Sequence, residues 1–488
     1  MPIVWPMAIA LLAWADPPPP APAAASGLSP RDVVAALESV MGDAIARAEG
    51  SVVAIAREKS DDDETLAVRG REPALNGVGA GDRRFGPAGG LVIADAFNAD
   101  VVSFDYGSGV VVGETQILTA YHVVRGAKAL HVRAAGRQAF DAEIIAADPR
   151  SDLAVIAPRE TPGVPAPKLT PLALGDAAGL RKGAFLVALG NPFNAARDGR
   201  ASASWGILSN VARRLDPSSD DLNRQGLQLR NYPTLFQLDA KLNLGMSGGA
   251  VVNMKGELVA LTTAAANAAG FDAQAGYAIP MDALGRNVVE ALKQGKEYEY
   301  GLLGIILDRQ NGTSKVMSAN PGTPAALGGV QVGDEILDVG GLPVVDSDSL
   351  VVAINSIPAG EPVKLKIRRN DQPAEIERTV QLAKLKLHGR VIATSRPAPW
   401  RGLRVDYTST IAGTALDNNV FDAMAREGVV VTEVETGSEA EKAGLKTGQL
   451  ISRVNALPVR NPRDFAKTSS GLKGPVTLKT DQGDVTVK

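Results

Sequence analysis

Between residues 101 and 280 the apolar positions fall in short runs bounded by turn-forming residues: GVVVG, QILTAYHVV, AEIIAAD, DLAVIA, FLVALG, SWGILSNV, AVVNMKGELVALTT and AGYAIP. Many short strands with little helical periodicity between them predict an antiparallel barrel or sandwich. Helical spacing flanks this block. Val33, Leu37, Val40, Met41 and Ile45 recur at three- and four-residue steps between Pro30 and about Arg47, and Asp282 to Lys293 repeats the pattern. Ser51 to Ala56 (SVVAIA) reads as a further strand. Residues 57 to 100 are polar and Gly-rich, carry Asp61-Asp62-Asp63-Glu64, and predict a long, solvated surface loop.

Beyond residue 295 the pattern repeats itself. GTPAALGGVQVGDEILDVGGLPV starts at Gly322, and GSEAEKAGLKTGQLISRVNALPV starts 115 residues later at Gly437. The register holds without gaps and pairs Ala325 with Ala440, Gly333 with Gly448, Ile336 with Ile451 and Pro343 with Pro458. Two related modules of strands with an interposed helix therefore follow the β-rich block. Tyr300-Gly301-Leu302-Leu303-Gly304-Ile305 opens the first, and Arg401-Gly402-Leu403-Arg404-Val405 opens the second.

Composition narrows the chemistry. At 45% apolar and 22% charged residues, the 488-residue chain is globular and long enough for several domains. A formal charge of −3 and a pI near 5.8 give no electrostatic footprint for nucleic acid. With no cysteine, disulfides, thiolate metal sites and cysteine nucleophiles are excluded. Only His122, His131 and His388 are present, which leaves too few imidazoles for a multi-histidine metal cluster. The N-terminal MPIVWPMAIALLAWAD has a short apolar run ending in Ala13-Trp14-Ala15, a small-x-small cleavage pattern, although no basic residue precedes the run. It predicts an export signal over residues 1–15, a Pro/Ala-rich linker over 16–30, and a mature chain in the periplasm or outside the cell. No stable membrane span is expected after cleavage.

Ser247 lies in Gly245-Met246-Ser247-Gly248-Gly249. A glycine-rich bend around a serine is ordinarily structural, and a serine hydroxyl needs a base to become a nucleophile. His122 follows an apolar run, and Asp152 stands thirty residues beyond it at the mouth of the run LAVIA. Each is weak alone. In the order His, Asp, Ser across a β-rich block they fit base, orienter and nucleophile. The turn's glycines allow the N–H groups of Gly245 and Ser247 to face one space, as an oxyanion hole requires. GMSGG also fits the nucleophile elbow of α/β hydrolases, but that fold places its histidine after the serine, where only His388 remains, beyond the first module. His131, on a following strand, reads as structural or exposed.

GSGVVV (107–112), ILTAYHVV (117–124), DPRSDLAVI (148–156), ALGNPF (188–193), FQLDAKLNLGMSGGAVVNMKGELVAL (236–261) and AGYAIP (275–280), with the two modules behind them, resemble the HtrA family of serine proteases. The resemblance covers most of residues 50 to 488. It implies a mainly β fold: a chymotrypsin-like double β-barrel protease domain with its N-terminal helix (31–295), a PDZ domain (296–388), a linker (389–400) and a second PDZ domain (401–488). It further implies that His122 acts as base and then acid, that Asp152 holds the imidazole, and that Ser247 is acylated. Thr262, Thr263 and Ala264 would pair with the substrate backbone, while Leu242 and Ala265 would line a pocket for a modest apolar side chain. Gly301, Leu302, Leu303 and Gly304, and in the second module Gly402, Leu403, Arg404 and Val405, would take peptide termini or extended segments. The implied activity is ATP-independent cleavage of misfolded or unfolded protein in the cell envelope, by a homo-oligomer built on a trimer, with no cofactor and no metal. The absence of a G-x-x-x-x-G-K-[ST] loop agrees with energy-independent action. One departure stands out: Met246 occupies the position where the family usually carries asparagine. That departure and the two binding modules leave a second reading, a non-hydrolytic chaperone or peptide-binding scaffold.

Overall fold

A computed structural model describes residues 29–59, 106–191, 198–213, 234–265, 276–308, 311–370, 372–387, 389–411 and 427–488. The export signal, most of the Pro/Ala-rich linker, nearly all of the long surface loop and His388 lie outside the described residues.

Helix α1 (Pro30–Ala48) starts where the sequence says it should. Ser29 caps it by accepting from the Asp32 N–H, and Asp32 returns a bond to the Ser29 N–H, a reciprocal capping box. Its predicted apolar stripe is covered only toward the C-terminal end. Ala44 and Ala48 are buried and Arg47 donates to the Lys255 carbonyl, while Val33, Val34 and Val40 stay exposed.

Strands β1 (Val52–Lys59), β2 (Tyr106–Val111), β3 (Ile117–Ala120), β4 (Ala127–Ala134), β5 (Gln138–Asp148) and β6 (Leu153–Pro158) pair antiparallel in the order β5-β4-β1-β2-β3-β6. Pairing of β5 with β6 closes them into a barrel around Val53, Ile55, Val111, Ile117, Val132 and Ile156. The run QILTAYHVV is not one strand: β3 stops at Ala120 and a single helical turn, α2 (Tyr121–Val124), follows. The Tyr121 N–H is taken by the Asp152 carbonyl at 2.8 Å, which turns the chain out of the sheet.

The second barrel comprises β7 (Phe185–Gly190), β8 (Ser202–Arg213), β9 (Leu235–Leu238), β10 (Ala250–Val252), β11 (Leu258–Ala265) and β12 (Gly276–Pro280), closed in the order β10-β11-β12-β9-β8-β7. Leu186, Leu189, Leu208, Leu238, Val251 and Leu261 fill it. Closure leaves neither six-stranded set with a free pair of edges, so alternate apolar residues of every strand converge on one interior. Helix α3 (Ala283–Lys293), capped by Asp282 on the Gly285 N–H at 2.9 Å, follows as predicted.

The first module packs strands Glu335–Val339, Pro362–Arg368 and Ile376–Gln381 with helices Pro324–Leu327 and Ser347–Asn355. Val363, Leu365 and Ile367 point inward between exposed neighbours. In the C-terminal unit, helix Glu439–Lys442, strand Leu450–Val454, strand Leu457–Pro458 and helix Pro462–Ser469 begin 115 residues after their counterparts. The stretch 389–400, read as a linker, carries a strand of its own. Ile392 and Ala393 pair with Ala147 and Ala146 of β5, along the edge that β4 leaves free after Ala142.

The two C-terminal units meet at a buried charge cluster. Lys384 Nζ lies 3.1 Å from Glu297, 3.3 Å from Glu299 and 3.0 Å from Asp406. Burial works against the ammonium, but Asp406, Glu297 and Glu299 together hold its pKa above the ordinary lysine range. Burial likewise pushes the Glu297 carboxyl up, opposed by Lys384. Lys384→Met is expected to leave three carboxylates facing one another and to lower stability by about 2–3 kcal/mol, below the full cost of a broken buried pair because the partners keep some solvent. Chemical denaturation of the two proteins measures this; an unchanged midpoint would show that the cluster contributes nothing.

Candidate active site

His122 is carried by α2 and Asp152 by the turn that enters β6. Asp152 adopts φ +58°, a left-handed conformation that aspartate tolerates better than most residues. That turn aims its carboxylate back at α2. Oδ2 sits 2.8 Å from His122 Nδ1, and Oδ1 accepts the His122 backbone N–H at 3.0 Å. Asp152 is buried, with 6% of its side chain exposed against 22% for His122, so the imidazole alone reaches solvent. Arg57 of β1 donates to the carbonyls of Arg125 at 2.6 Å and His122 at 3.2 Å, which pins the far end of α2.

Thr263 joins this pair to the serine. Register slips between Thr262 and Ala264 in the β11–β12 pairing, leaving Thr263 at a bulge. Its hydroxyl donates to Asp152 Oδ2 at 2.6 Å, and its carbonyl accepts Ser247 Oγ–H at 2.7 Å. The buried carboxylate is thus matched by three donors: a backbone N–H, an imidazole N–H and a hydroxyl. The serine hydroxyl is bonded to the Thr263 carbonyl rather than to the imidazole.

The turn around Ser247 needs its glycines. Gly245 (φ +94°) and Gly248 (φ +83°) are left-handed, and a Cβ would strike the Tyr106 ring at the first and the Ser108 carbonyl at the second. Among the described residues the N–H groups of Gly245 and Ser247 have no acceptor, whereas those of Met246, Gly248 and Gly249 are bonded to Asn243, Thr262 and Met246 carbonyls. The Met246 side chain is buried in the second barrel against Gly190, and its sulfur accepts the Asn243 N–H at 3.4 Å. Its departure from the family's asparagine is therefore absorbed by core packing.

Of the remaining predicted positions, Leu242 packs against Gly276, whose backbone partner across β11–β12 is Ala265. Ala264 precedes Ala265 on β11. Thr262 belongs elsewhere. Its N–H and carbonyl are bonded to Gly249 and Gly248, so its backbone supports the serine turn and is not free to pair with another chain. His131 bonds Asp141 at 2.8 Å across β4 and β5, away from this site. Among the described residues no group of side chains could hold a metal.

In the first module Gly301 and Leu302 form a short strand against Lys384 and Ala383, Leu303 is buried, and Gly304 leads into strand Ile305–Leu307. Among the described residues that strand pairs on one edge only, with Val316–Ala319. In the second module Gly402 leads into Leu403–Tyr407, the end strand of its sheet, where Arg404 is held by Glu433 at 3.3 Å. The first module also reaches the loop that leads to Asp152. Tyr300 donates to Asp148 and lies beneath the Arg150 guanidinium, which in turn donates to Asn355. Burial pushes the Asp148 carboxyl above the usual range.

Two closed antiparallel barrels with a histidine, an aspartate and a serine brought together in this way, followed by a PDZ module, define a trypsin-like serine endopeptidase. Residues 107–261 match the trypsin-like peptidase domain family and residues 301–380 match the PDZ domain family. The chain is similar to the periplasmic serine endoprotease DegP of Salmonella typhimurium, at 30% identity over 401 residues, covering 78% of this chain and 75% of that protein. It is likewise similar to the periplasmic pH-dependent serine endoprotease DegQ of Escherichia coli, at 30% identity over 397 residues, covering 78% of this chain and 79% of that one. The chain belongs to the HtrA/DegP family of periplasmic serine endoproteases. Among the described residues no helix is long and apolar enough to cross a membrane.

Four contributors escaped the sequence reading: the Thr263 hydroxyl, Arg57, Gly276 and Ser108. Ser108 lies in GSGVVV and Gly276 in AGYAIP, and neither pattern alone gives a function.

Proposed function

We propose that Ser247 is the acylated nucleophile, His122 the base and then the acid, and Asp152 the group that holds the imidazole. The observation that carries this is the continuous bonding from His122 Nδ1 through Asp152 and Thr263 to Ser247 Oγ. With Nδ1–H committed to Asp152, Nε2 is the basic nitrogen. It takes the Ser247 proton as Oγ attacks the scissile carbonyl, and returns it to the leaving amine. The N–H groups of Gly245 and Ser247 receive the developing oxyanion. Substrate pairs as a strand with Thr263, Ala264 and Ala265. Its backbone N–H takes the Thr263 carbonyl, which releases the serine hydroxyl to His122. Leu242, Ala265 and Gly276 shape a pocket for a modest apolar residue before the cut.

The modules supply substrate. The Gly301–Gly304 loop and the open edge of Ile305–Leu307 take a peptide terminus or extended segment by strand addition. We read the C-terminal unit as a second PDZ domain, supported by the recurrence of its elements at the 115-residue offset, with Gly402, Leu403, Arg404 and Val405 at its groove. Substrates are unfolded or misfolded proteins, cleaved without ATP by a homo-oligomer of a trimer or its multiple. The domain limits proposed are 31–295, 296–388 and 401–488.

The resting bond from Ser247 to the Thr263 carbonyl favours one further reading, a peptide-binding chaperone whose nucleophile stays parked. A fluorophosphonate probe separates the two. The protease reading expects one adduct, mapped by peptide mass spectrometry to Ser247, together with degradation of denatured casein. Binding of casein with neither labelling nor cleavage, even with peptides that fill the first module, would establish the chaperone reading instead.

A further inference from the structure

Ser108 lies in the middle of β2, fully buried, with its polar groups engaged. Its N–H donates to the Ser247 carbonyl at 2.8 Å and its hydroxyl donates to the Gly245 carbonyl at 2.7 Å. The same oxygen accepts the Asn191 N–H at 2.8 Å, and the Ser108 carbonyl accepts the Thr119 hydroxyl at 2.6 Å. One residue of the first barrel therefore grips the carbonyls of the two residues whose N–H groups have no acceptor among the described residues.

We infer that Ser108 is a positioning residue that fixes the direction of the Gly245 N–H, and so sets the oxyanion hole of the proposed reaction. A trans peptide is planar and its N–H and C=O point in opposite directions, so anchoring one end aims the other. The Met246–Ser247 peptide is anchored independently, because the Met246 carbonyl accepts from the Gly249 N–H and the Thr262 hydroxyl. That fixes the Ser247 N–H without Ser108. The Leu244–Gly245 peptide has no such anchor: among the described residues no bond to the Leu244 carbonyl is present. It is joined through Gly245 to the Gly245–Met246 peptide, which is held at its N–H by the Asn243 carbonyl and at its carbonyl by the Ser108 hydroxyl. Gly245 has no Cβ to resist rotation, so with the Ser108 bond lost the Gly245–Met246 peptide keeps only its Asn243 anchor and tilts about it, and the preceding peptide turns with it and carries its N–H out of the site. Serine suits this place because a single short side chain must donate to Gly245 and accept from Asn191. The flanking positions have no room to spare, since a Cβ at Gly107 would meet Val123 and one at Gly109 would meet Ile117.

The inference rests on Ser247 and Gly245 having the roles proposed above, and the experiment separates the two. Wild type is first labelled with a fluorophosphonate. Then kcat, KM and the affinity of a peptide boronate, which forms a charged tetrahedral adduct, are compared with the affinity of the corresponding uncharged product peptide in wild type, Ser108→Ala and Ser108→Cys. Loss of one oxyanion donor costs about 10²–10³-fold in kcat. Ser108→Ala is expected to lose that factor in kcat and in boronate affinity, with KM and product affinity within about threefold, since the interaction lost is made only in the transition state. Ser108→Cys, which fills the same space with a weaker donor, is expected to fall between. Rates are normalised to folded protein, so partial unfolding does not mimic the result. Equal losses for boronate and product peptide, or wild-type kcat in folded Ser108→Ala, would overturn the inference. Failure of wild type to label at Ser247 would instead overturn the reading beneath it.

Discussion

Alanine at Ser247 is expected to lower kcat by about 10⁶-fold, alanine at His122 by a similar factor, and the two together by no more than either alone. The reason is that the hydroxyl and the imidazole perform one step. The resting partner of Ser247 Oγ, the Thr263 carbonyl, cannot accept a proton at neutral pH, so the proposed reaction depends on His122 as base. Without the imidazole the hydroxyl stays a poor nucleophile, and without the hydroxyl the imidazole has no proton to take. What survives is the contribution of binding and of the oxyanion donors. Both side chains sit at the barrel surface rather than in its core, so folding should be unaffected. The check is turnover of a chromogenic peptide by both single variants and the double variant. Multiplicative losses would mean that His122 and Ser247 act separately, contrary to the proposed roles.

Asp152→Asn is expected to cost about 10⁴-fold in kcat while leaving the fold intact. Asparagine tolerates the left-handed backbone that residue 152 adopts, so the turn survives. The hydrogen bonds then dictate how the amide sits. Oδ1 must stay on the His122 backbone N–H, because an NH₂ group there would set donor against donor. That places the NH₂ against His122 Nδ1 and the Thr263 hydroxyl. Thr263 can rotate to accept, but the imidazole can accept only as the tautomer protonated on Nε2. In that form the ring has no lone pair for the Ser247 proton. Kinetics at neutral pH beside a thermal unfolding curve test this, and a loss below about 10²-fold with an unchanged unfolding curve would remove Asp152 from the proposed mechanism.

Much of this protein is legible in its one-dimensional pattern. Most strands of both barrels fall on the apolar runs read from the sequence, β4 and β9 being the exceptions, and α1 and α3 follow Ser29 and Asp282, each a capping side chain one residue ahead of its helix. The order His122, Asp152, Ser247, with glycines around the last, points to the candidate site by itself. These features depend on neighbours in sequence, or on a periodicity that a single strand or helix imposes on itself.

The rest required contacts between distant segments. The pattern could not tell that the apolar stripe of α1 would be covered only at its end, because that depends on where the second barrel stops. A strand inside the stretch 389–400 was invisible, since two paired residues have no period and their partner is an edge of β5 that exists only because β4 is shorter. Thr263 and Ser108 lie 111 and 137 residues from the atoms they bond, and the GSGVVV pattern around Ser108 does not say what its hydroxyl holds. Local residue type and spacing determined which elements form and which side chains could do the chemistry. Only the tertiary structure decided how those side chains are aimed. Aim is set by hydrogen bonds across the two barrels, and a donor–acceptor pair more than a hundred residues apart leaves no trace in the period of either strand.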